Sequence, residues 1–505
     1  MTTTKPEAPR AVPPERAEPR APVRPPWAGS WLRGQRLIPV LALAAGLLFS
    51  GAVAADDLPS IRNNLPIRDG TGAFATSSTA GVVDTSNPFF QSLGTNGRSC
   101  ATCHIPAEAW SITPRGVQRR FAATGGTDPI FRTNDGANAP NLDVSTVAAR
   151  RRAYSMLLSK GVIRVGIAMP IGSTSEITLT TVSDPYGFAS ASQLSLFRRP
   201  LPATNLGFLS AVLWDGRDTG QPLLPGNTPA LNTTNLAIDL AHQANNATLG
   251  HAQAVADLTP EQQQLIVNFE RGLSTAQIFD DAAGHLTAGG ALGGPVPLAN
   301  QSFFIGSNDP LGANPTGAPF TPSAFTLYNA WSGSSIASRA AVARGQTLFN
   351  IKPINITGVG GLNDDRNVAV RPGTCTTCHD TPNVGNHSVW TPLNIGIADV
   401  ARNTGDLPVY TLTCMVGTTN IEGTVVNGVT TVQTTDPGRA LISGKCKDIG
   451  RFKVPILRAL PARAPYFHNG SAATLTDVVT FYNTRFGIGF TPQEQADLVA
   501  FLRTL

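Results

Sequence analysis

The chain has 505 residues, 41% of them hydrophobic and 14% charged, which excludes a disordered or fibrous protein and allows two to four globular domains. Formal net charge is +5, but the first 36 residues hold 7 Lys and Arg against 3 Asp and Glu, and the remainder is 31 against 30. The pI of 9.0 is therefore partly a property of the tail and gives no argument for nucleic-acid binding.

Residues 1–36 are rich in Pro, Ala and Arg without apolar periodicity and are expected to be disordered. An apolar run over 37–55 follows basic residues and carries Ala52-Val53-Ala54, a small-residue cleavage pattern. Residues 1–55 thus read as an n-region and signal peptide of an exported, periplasmic protein. An uncleaved anchor is the alternative, because about 19 apolar residues just span a bilayer.

Residues 58–98 lead into Ser99-Cys100-Ala101-Thr102-Cys103-His104. Cys-x-x-Cys-His reads as a c-type haem attachment site. The thiols form thioethers with the haem vinyl groups, and the adjacent His is held under the iron. A second copy stands at Cys375-Thr376-Thr377-Cys378-His379. A redox dithiol or half a zinc site is disfavoured by the adjacent His and by the lack of further thiols at zinc spacing. Cys414 and Cys446 remain, and an oxidising compartment would let them pair; two separate buried thiols are the alternative.

Between the motifs, 162–168 and 176–182 have strand composition and are expected to form a small hairpin. The block 111–195 is read as an insertion on a helical domain. Trp214-Asp215-Gly216-Arg217 is followed by a Pro-, Asn- and Thr-rich loop to about Asn235. Thr259, Pro260 and Gln262 form a capping signature for a helix with Leu265, Phe269 and Leu273 on one face. Residues 286–335 read as a linker, 340–349 as a short helix with Gly345 for close packing, and 380–450 as mostly irregular. A second capped helix begins at Thr491 and Pro492, with Leu498, Phe501, Leu502 and Leu505 at helical spacing. The two capped helices match at a constant offset of 232, including Thr259/Thr491, Val267/Val499, Phe269/Phe501 and Arg271/Arg503. The expectation is a mainly α fold: two loop-rich, cytochrome c-like haem domains in tandem, 56–285 and 336–505, with a small β insertion in the first.

These residues together, with the stretch 454–458 and Pro465-Tyr466-Phe467-His468-Asn469-Gly470, resemble the bacterial dihaem cytochrome c peroxidase family, including its MauG-like branch. The resemblance covers roughly 85–110, 195–275 and 335–505. It implies two covalently bound c-type haems. The one on His104 would bind hydrogen peroxide, and the one on His379 would store and relay electrons from a small cytochrome c or cupredoxin. Trp214 would lie between them. The sixth ligand of the second haem is a Met in the peroxidase branch and a Tyr in the MauG-like branch, fourteen residues after the motif His; here that residue is Tyr482. A phenolate oxygen favours ferric iron, whereas a thioether favours ferrous iron. A packing aromatic, or ligation by Met156, Met169 or Met415, is the alternative.

On the distal side of the first haem, the family's Glu follows a Gln by ten residues; counting from Gln243 gives Gln253, with His251 nearby. His251 is a candidate acid/base, a candidate sixth ligand, or a surface residue. Arg199 stands where the family's calcium site has Asn, which argues against a structural calcium. Pro372 and Gly373 replace the Trp through which the MauG branch oxidises a protein. Three readings follow: a peroxidase-like oxidoreductase, a MauG-like oxidase of a protein or small molecule in which the two haems share oxidising equivalents, and a non-catalytic electron carrier or redox sensor.

Overall fold

The computed structural model describes residues 60–220, 236–415, 424–426 and 429–505. The 37–55 run and most of the 219–235 loop lie outside them. Ten helices are present among the described residues: α1 Pro114–Thr124, α2 Val147–Ala153, α3 Ser155–Lys160, α4 Leu236–Gly250, α5 Pro260–Arg271, α6 Pro295–Ala299, α7 Ala337–Ile351, α8 Ala440–Ser443, α9 Leu475–Phe486 and α10 Pro492–Leu502. The strands are β1 Ser60–Arg62, β2 Ile67–Arg68, β3 Gly72–Ser78, β4 Val82–Asp84, β5 Ile163–Ile167, β6 Ile177–Ser183, β7 Leu194–Arg198, β8 Leu273–Asp280, β9 Gly284–His285, β10 Ile354–Thr357, β11 Val370–Gly373, β12 Val409–Cys414, β13 Thr424–Val426 and β14 Val429–Thr434. This is far more strand than a mainly α reading allows, although most sheets are small.

The capped helices form as their sequences dictate. Thr259 Oγ1 accepts from Gln262 N, and Thr491 Oγ1 accepts from Glu494 N, both at 3.2 Å. The buried face of α5 differs from expectation. Ile266, Val267 and Glu270 are inside, Leu265 is exposed, and Leu273 already belongs to β8. In the second half α7 lies against α10 so closely that a Cβ on Gly345 would stand 2.0 Å from the Asp497 carbonyl oxygen.

The expected hairpin does not form. β5 pairs with β7, and β6 pairs with β12, so that Thr181 faces Thr411. The reason is amphipathic matching across the chain. Ile177 and Leu194 join Tyr410, Leu412 and Cys414 in one buried cluster, which no local turn could assemble. The resulting sheet runs β13-β14-β12-β6 and is fastened by a disulfide between Cys414 and Cys446, Cα atoms 5.8 Å apart. The rest of the 111–195 block packs around Phe121, Phe131, Tyr154 and Leu157, with Cys103 and Ile105 against it. Residues 286–335, expected as a linker, are irregular but packed: Phe325, Tyr328 and Trp331 are core residues, and Tyr328 Oη donates to the Thr504 carbonyl at 2.8 Å.

Candidate haem sites on a shared cavity

Both Cys-x-x-Cys-His motifs adopt the same turn. Ser99 N donates to Thr102 Oγ1 at 3.0 Å, and Thr374 N donates to Thr377 Oγ1 at 2.9 Å. The Thr inside each motif therefore closes the turn from within. His104 N and His379 N donate to the first Cys carbonyl at 3.0 and 3.1 Å. Each imidazole also places Nδ1 on a carbonyl six residues on, Trp110 O at 3.2 Å and Gly385 O at 2.5 Å. A donor Nδ1–H leaves the Nε2 lone pair for a metal. Burial pushes both imidazoles down to about 4, so they are neutral. A phenylalanine stands by each His, Phe89 at 6.3 Å and Phe349 at 5.8 Å between ring centres, and each touches the aromatic of its capped helix, Phe269 or Phe501.

The two motifs open onto one cavity. One wall is α4 and the residue after it, presenting Leu240, Gln243, Ala244, Ala247 and His251. The matching wall is α9, presenting Leu475, Val478, Val479, Tyr482 and Phe486. The spacing is identical, so Ala247 occupies the place that Tyr482 holds in the other half. The capped helices contribute Ile266 and Glu270 on one side, Leu498 and Leu502 on the other, again 232 apart. Glu270 is 6% exposed and its Oε2 has no partner among the described residues. Burial pushes its carboxyl up to about 8.

The cavity is also lined by Trp214, Lys453, Arg463 and His468. Trp214 Nε1 donates to the Arg199 carbonyl at 2.8 Å, and its own carbonyl accepts from Lys453 N at 2.8 Å. The His468 ring stacks on Phe452 at 4.1 Å and meets Trp214 edge-on at 6.2 Å. Neither nitrogen of His468 has a hydrogen-bond partner among the described residues, nor does Arg463 Nη2. Burial lowers Lys453 to about 7 and His468 to about 4. Asp215 fixes this region. It is fully buried and ion-paired with Arg198 at 2.5 Å and Arg217 at 3.1 Å, and Arg198 reaches Asp436 at 2.7 Å. Burial alone would raise the Asp215 carboxyl; the Arg217 and Arg198 guanidiniums outweigh it and hold the group well below the usual carboxylate range.

His251 sits on the cavity wall with Nδ1 2.5 Å from Asp135 Oδ2, and Asp135 is also ion-paired with Arg98. Gln253 is a correction. It is exposed, with positive φ, and its Oε1 accepts from Asn96 at 3.2 Å, so the helix end turns it away from the cavity. Tyr482 lines the cavity beside Cys375 and Cys378. Burial, and then these two thiols, raise its phenol above the ordinary range. The three methionines lie elsewhere: Met156 and Met169 in separate core clusters and Met415 exposed. At the position of the family's calcium ligand, the Arg199 guanidinium donates to the carbonyls of Lys160, Gly161, Ile112 and Arg463. Glu270, Ala247, Asp135 and Lys453 were not visible as site residues in the sequence. Extending the 232-residue repeat one position would have set Glu270 against Leu502.

The residues fit a haem at each motif: paired free thiols, a neutral His with Nε2 available, apolar walls, and orphaned buried donors at the centre for carboxylate edges. That donor set is the one a c-type haem would require at each motif. Short stretches of the chain are similar to curated bacterial cytochrome-c peroxidases. The chain is 46% identical over 70 residues to a cytochrome-c peroxidase of Denitromonas iodatirespirans, covering 12% of this chain and 19% of that one. It is 29% identical over 147 residues to a cytochrome-c peroxidase of Pseudomonas sp. (strain SCT), covering 26% and 36%. A cytochrome c551 peroxidase of Nitrosomonas europaea is 42% identical over 69 residues, covering 14% and 21%. The matched part thus spans about a fifth to a third of these relatives. No family model matches the chain. A solved MauG-like protein associated with microbial copper homeostasis is 16% identical, covers 83% of this chain and 87% of its own, and has a TM-score of 0.34. Among the described residues no helix is long and apolar enough to cross a membrane.

Proposed function

We propose that this protein is an exported dihaem oxidoreductase of the cytochrome-c peroxidase kind, on the MauG-like branch. In this reading hydrogen peroxide is reduced at the N-terminal haem, and a small cytochrome c or cupredoxin supplies electrons through the C-terminal haem. The observation that carries it is the exchange of Ala247 for Tyr482 at matching places on the two walls. Tyr482 offers a phenolic oxygen that would serve as the further ligand of a haem held on Cys375, Cys378 and His379. Ala247 leaves space for a small oxidant at the other.

Two c-type haems, one on Cys100, Cys103 and His104 and one on Cys375, Cys378 and His379, would supply the peroxide-binding iron and the electron store. The chain supplies the rest. Reducing one peroxide to two waters takes two electrons and two protons. His251, oriented through Nδ1 by Asp135, presents Nε2 as a proton carrier. Glu270 holds a proton on its carboxyl at neutral pH, because it lies buried without a countercharge. Trp214, held through Nε1 by the Arg199 carbonyl, would be the aromatic step for electrons between the haems. Lys453, Arg463 and His468 would meet the carboxylate edges of the haems.

Low-temperature EPR of the ferric protein tests this, beside Tyr482→Phe and Ala247→Tyr. One high-spin and one low-spin signal is expected, with Tyr482→Phe altering only the low-spin one. Two low-spin signals, before and after one-electron reduction, with no response to peroxide, would favour the carrier or sensor. Tyr482 in place of a thioether also keeps the oxidase reading open. Steady turnover of peroxide with a reduced cytochrome favours the peroxidase; peroxide-dependent oxidation of a protein or small molecule without that donor favours the oxidase.

A further inference from the structure

We infer a divalent-cation site behind the second Cys-x-x-Cys-His motif, formed by Asp309, Asp380 and His387. The three residues are 2%, 0% and 4% exposed. One ligand atom from each lies within 4.8 Å of the other two. None of them lines the haem cavity.

Hydrogen bonding fixes two of the three and leaves one oxygen open. Asp380 Oδ1 accepts from Ser388 N at 2.7 Å and faces His387 Nδ1 at 3.0 Å, and Asp380 Oδ2 accepts from Ser388 Oγ at 2.7 Å. Asp309 Oδ2 accepts from the backbone of Leu311 at 3.1 Å and Ala313 at 2.7 Å. Asp309 Oδ1 is buried and has no partner among the described residues. An orphaned carboxylate oxygen in a dry interior is costly unless a cation meets it.

Charge balance points the same way. Among the described residues, neither carboxylate is ion-paired to a guanidinium or ammonium group, and Asp380 Oδ1 meets the His387 imidazole at 3.0 Å. Two buried carboxylates are balanced by one dication. Two carboxylate oxygens and one imidazole nitrogen suit zinc or manganese; soft copper(I) would want sulfur, and calcium an all-oxygen cage.

The site joins separated segments. Asn308 Nδ2 donates to the Asp380 carbonyl at 3.0 Å, Gly306 N donates to the Ser388 carbonyl at 3.0 Å, and Ser210 Oγ donates to the His387 carbonyl at 2.8 Å. The loop it closes, 380–388, carries Gly385, whose carbonyl holds His379 Nδ1. An ion here would act as a positioning group for the second haem. The inference stands independently of peroxide chemistry.

The test is the metal content of the purified dihaem protein, prepared without chelator, by plasma mass spectrometry. One zinc or manganese per two haem irons is expected. Removing it with a chelator should lower the melting temperature, and adding back Zn²⁺ or Mn²⁺ alone should restore it. Asp309→Asn should weaken binding by at least about 100-fold with both haems still attached. If that variant does not accumulate, His387→Gln serves the same comparison. Wild-type protein that holds no such ion and takes up neither Zn²⁺ nor Mn²⁺ would overturn the inference. So would uptake that Asp309→Asn and His387→Gln leave unchanged.

Discussion

The two halves of the cavity are built from the same parts and differ at a few places. Each has a Thr-closed turn, an imidazole on a carbonyl six residues on, a Phe beside it, and a capped helix behind. Where the second half has Tyr482, the first has Ala247. Where the second has Leu502, the first has Glu270. Behind the second motif stands the 15-residue helix α7; behind the first, a single turn at Pro88–Phe90 packs Phe89 on the capped helix. The scaffold repeats the same set of parts on both sides of the cavity, and the differences lie in the few residues that break the repeat. The second wall places Tyr482 and Leu502 at these positions, whereas the first has ionisable groups, His251 and Glu270.

That contrast can be broken directly. Ala247→Tyr copies the second wall into the first and is expected to lower peroxide turnover about a thousandfold, about 4 kcal/mol in the barrier, while the haem content stays the same. Stopped-flow peroxide kinetics would show it. The disulfide that fastens the sheet shared by the two halves is tested by Cys414→Ala. Its 32-residue separation from Cys446 corresponds to about 3–4 kcal/mol of chain entropy, readable by urea denaturation. Glu270→Gln removes the titrating acid and is expected to reduce turnover about ten- to a hundredfold and to erase a pH limb near 8. It also changes stability. Glu270 keeps its proton in the fold up to about 8, whereas an ordinary carboxyl releases it near 4.5. The unfolded chain therefore gains as pH rises through that window, and stability falls. Denaturation at both ends should show the slope lessened by on the order of a few kcal/mol in the variant. Gly345→Ala, against the Asp497 carbonyl, is expected to destabilise by about 1–3 kcal/mol with no change in the first haem's spectrum.

The sequence carried what is local. Both motifs, both capped helices, Trp214-Asp215-Gly216-Arg217 and the spacing of Tyr482 are short patterns whose chemistry is legible in a few residues. The partners of β6 and β5 were not, because period-two patterns state that a strand exists and not which strand completes it. Asp135 met His251 for the same reason: 116 residues separate them, and neither segment signals the other. Gln253 was a counting argument, and the backbone turn after α4 overrode it. Met415, next to the disulfide-bonded Cys414, is exposed and does not line the cavity.

The pairing of β6 with β12 also has a kinetic side. Thr181 and Thr411 lie opposite each other although 230 residues apart, and loops of that span close slowly. During synthesis β6 is made long before its neighbour exists. It must wait as an open edge, the sort of surface that recruits stray strands. Its outward residues include Thr178, Thr180, Thr181 and Ser183, and only Ile177 is fully buried in the finished sheet. A strand this polar waits safely, where a Val- and Ile-rich one would aggregate. The same dependence means that a fragment ending before 409 lacks the strand that pairs with β6.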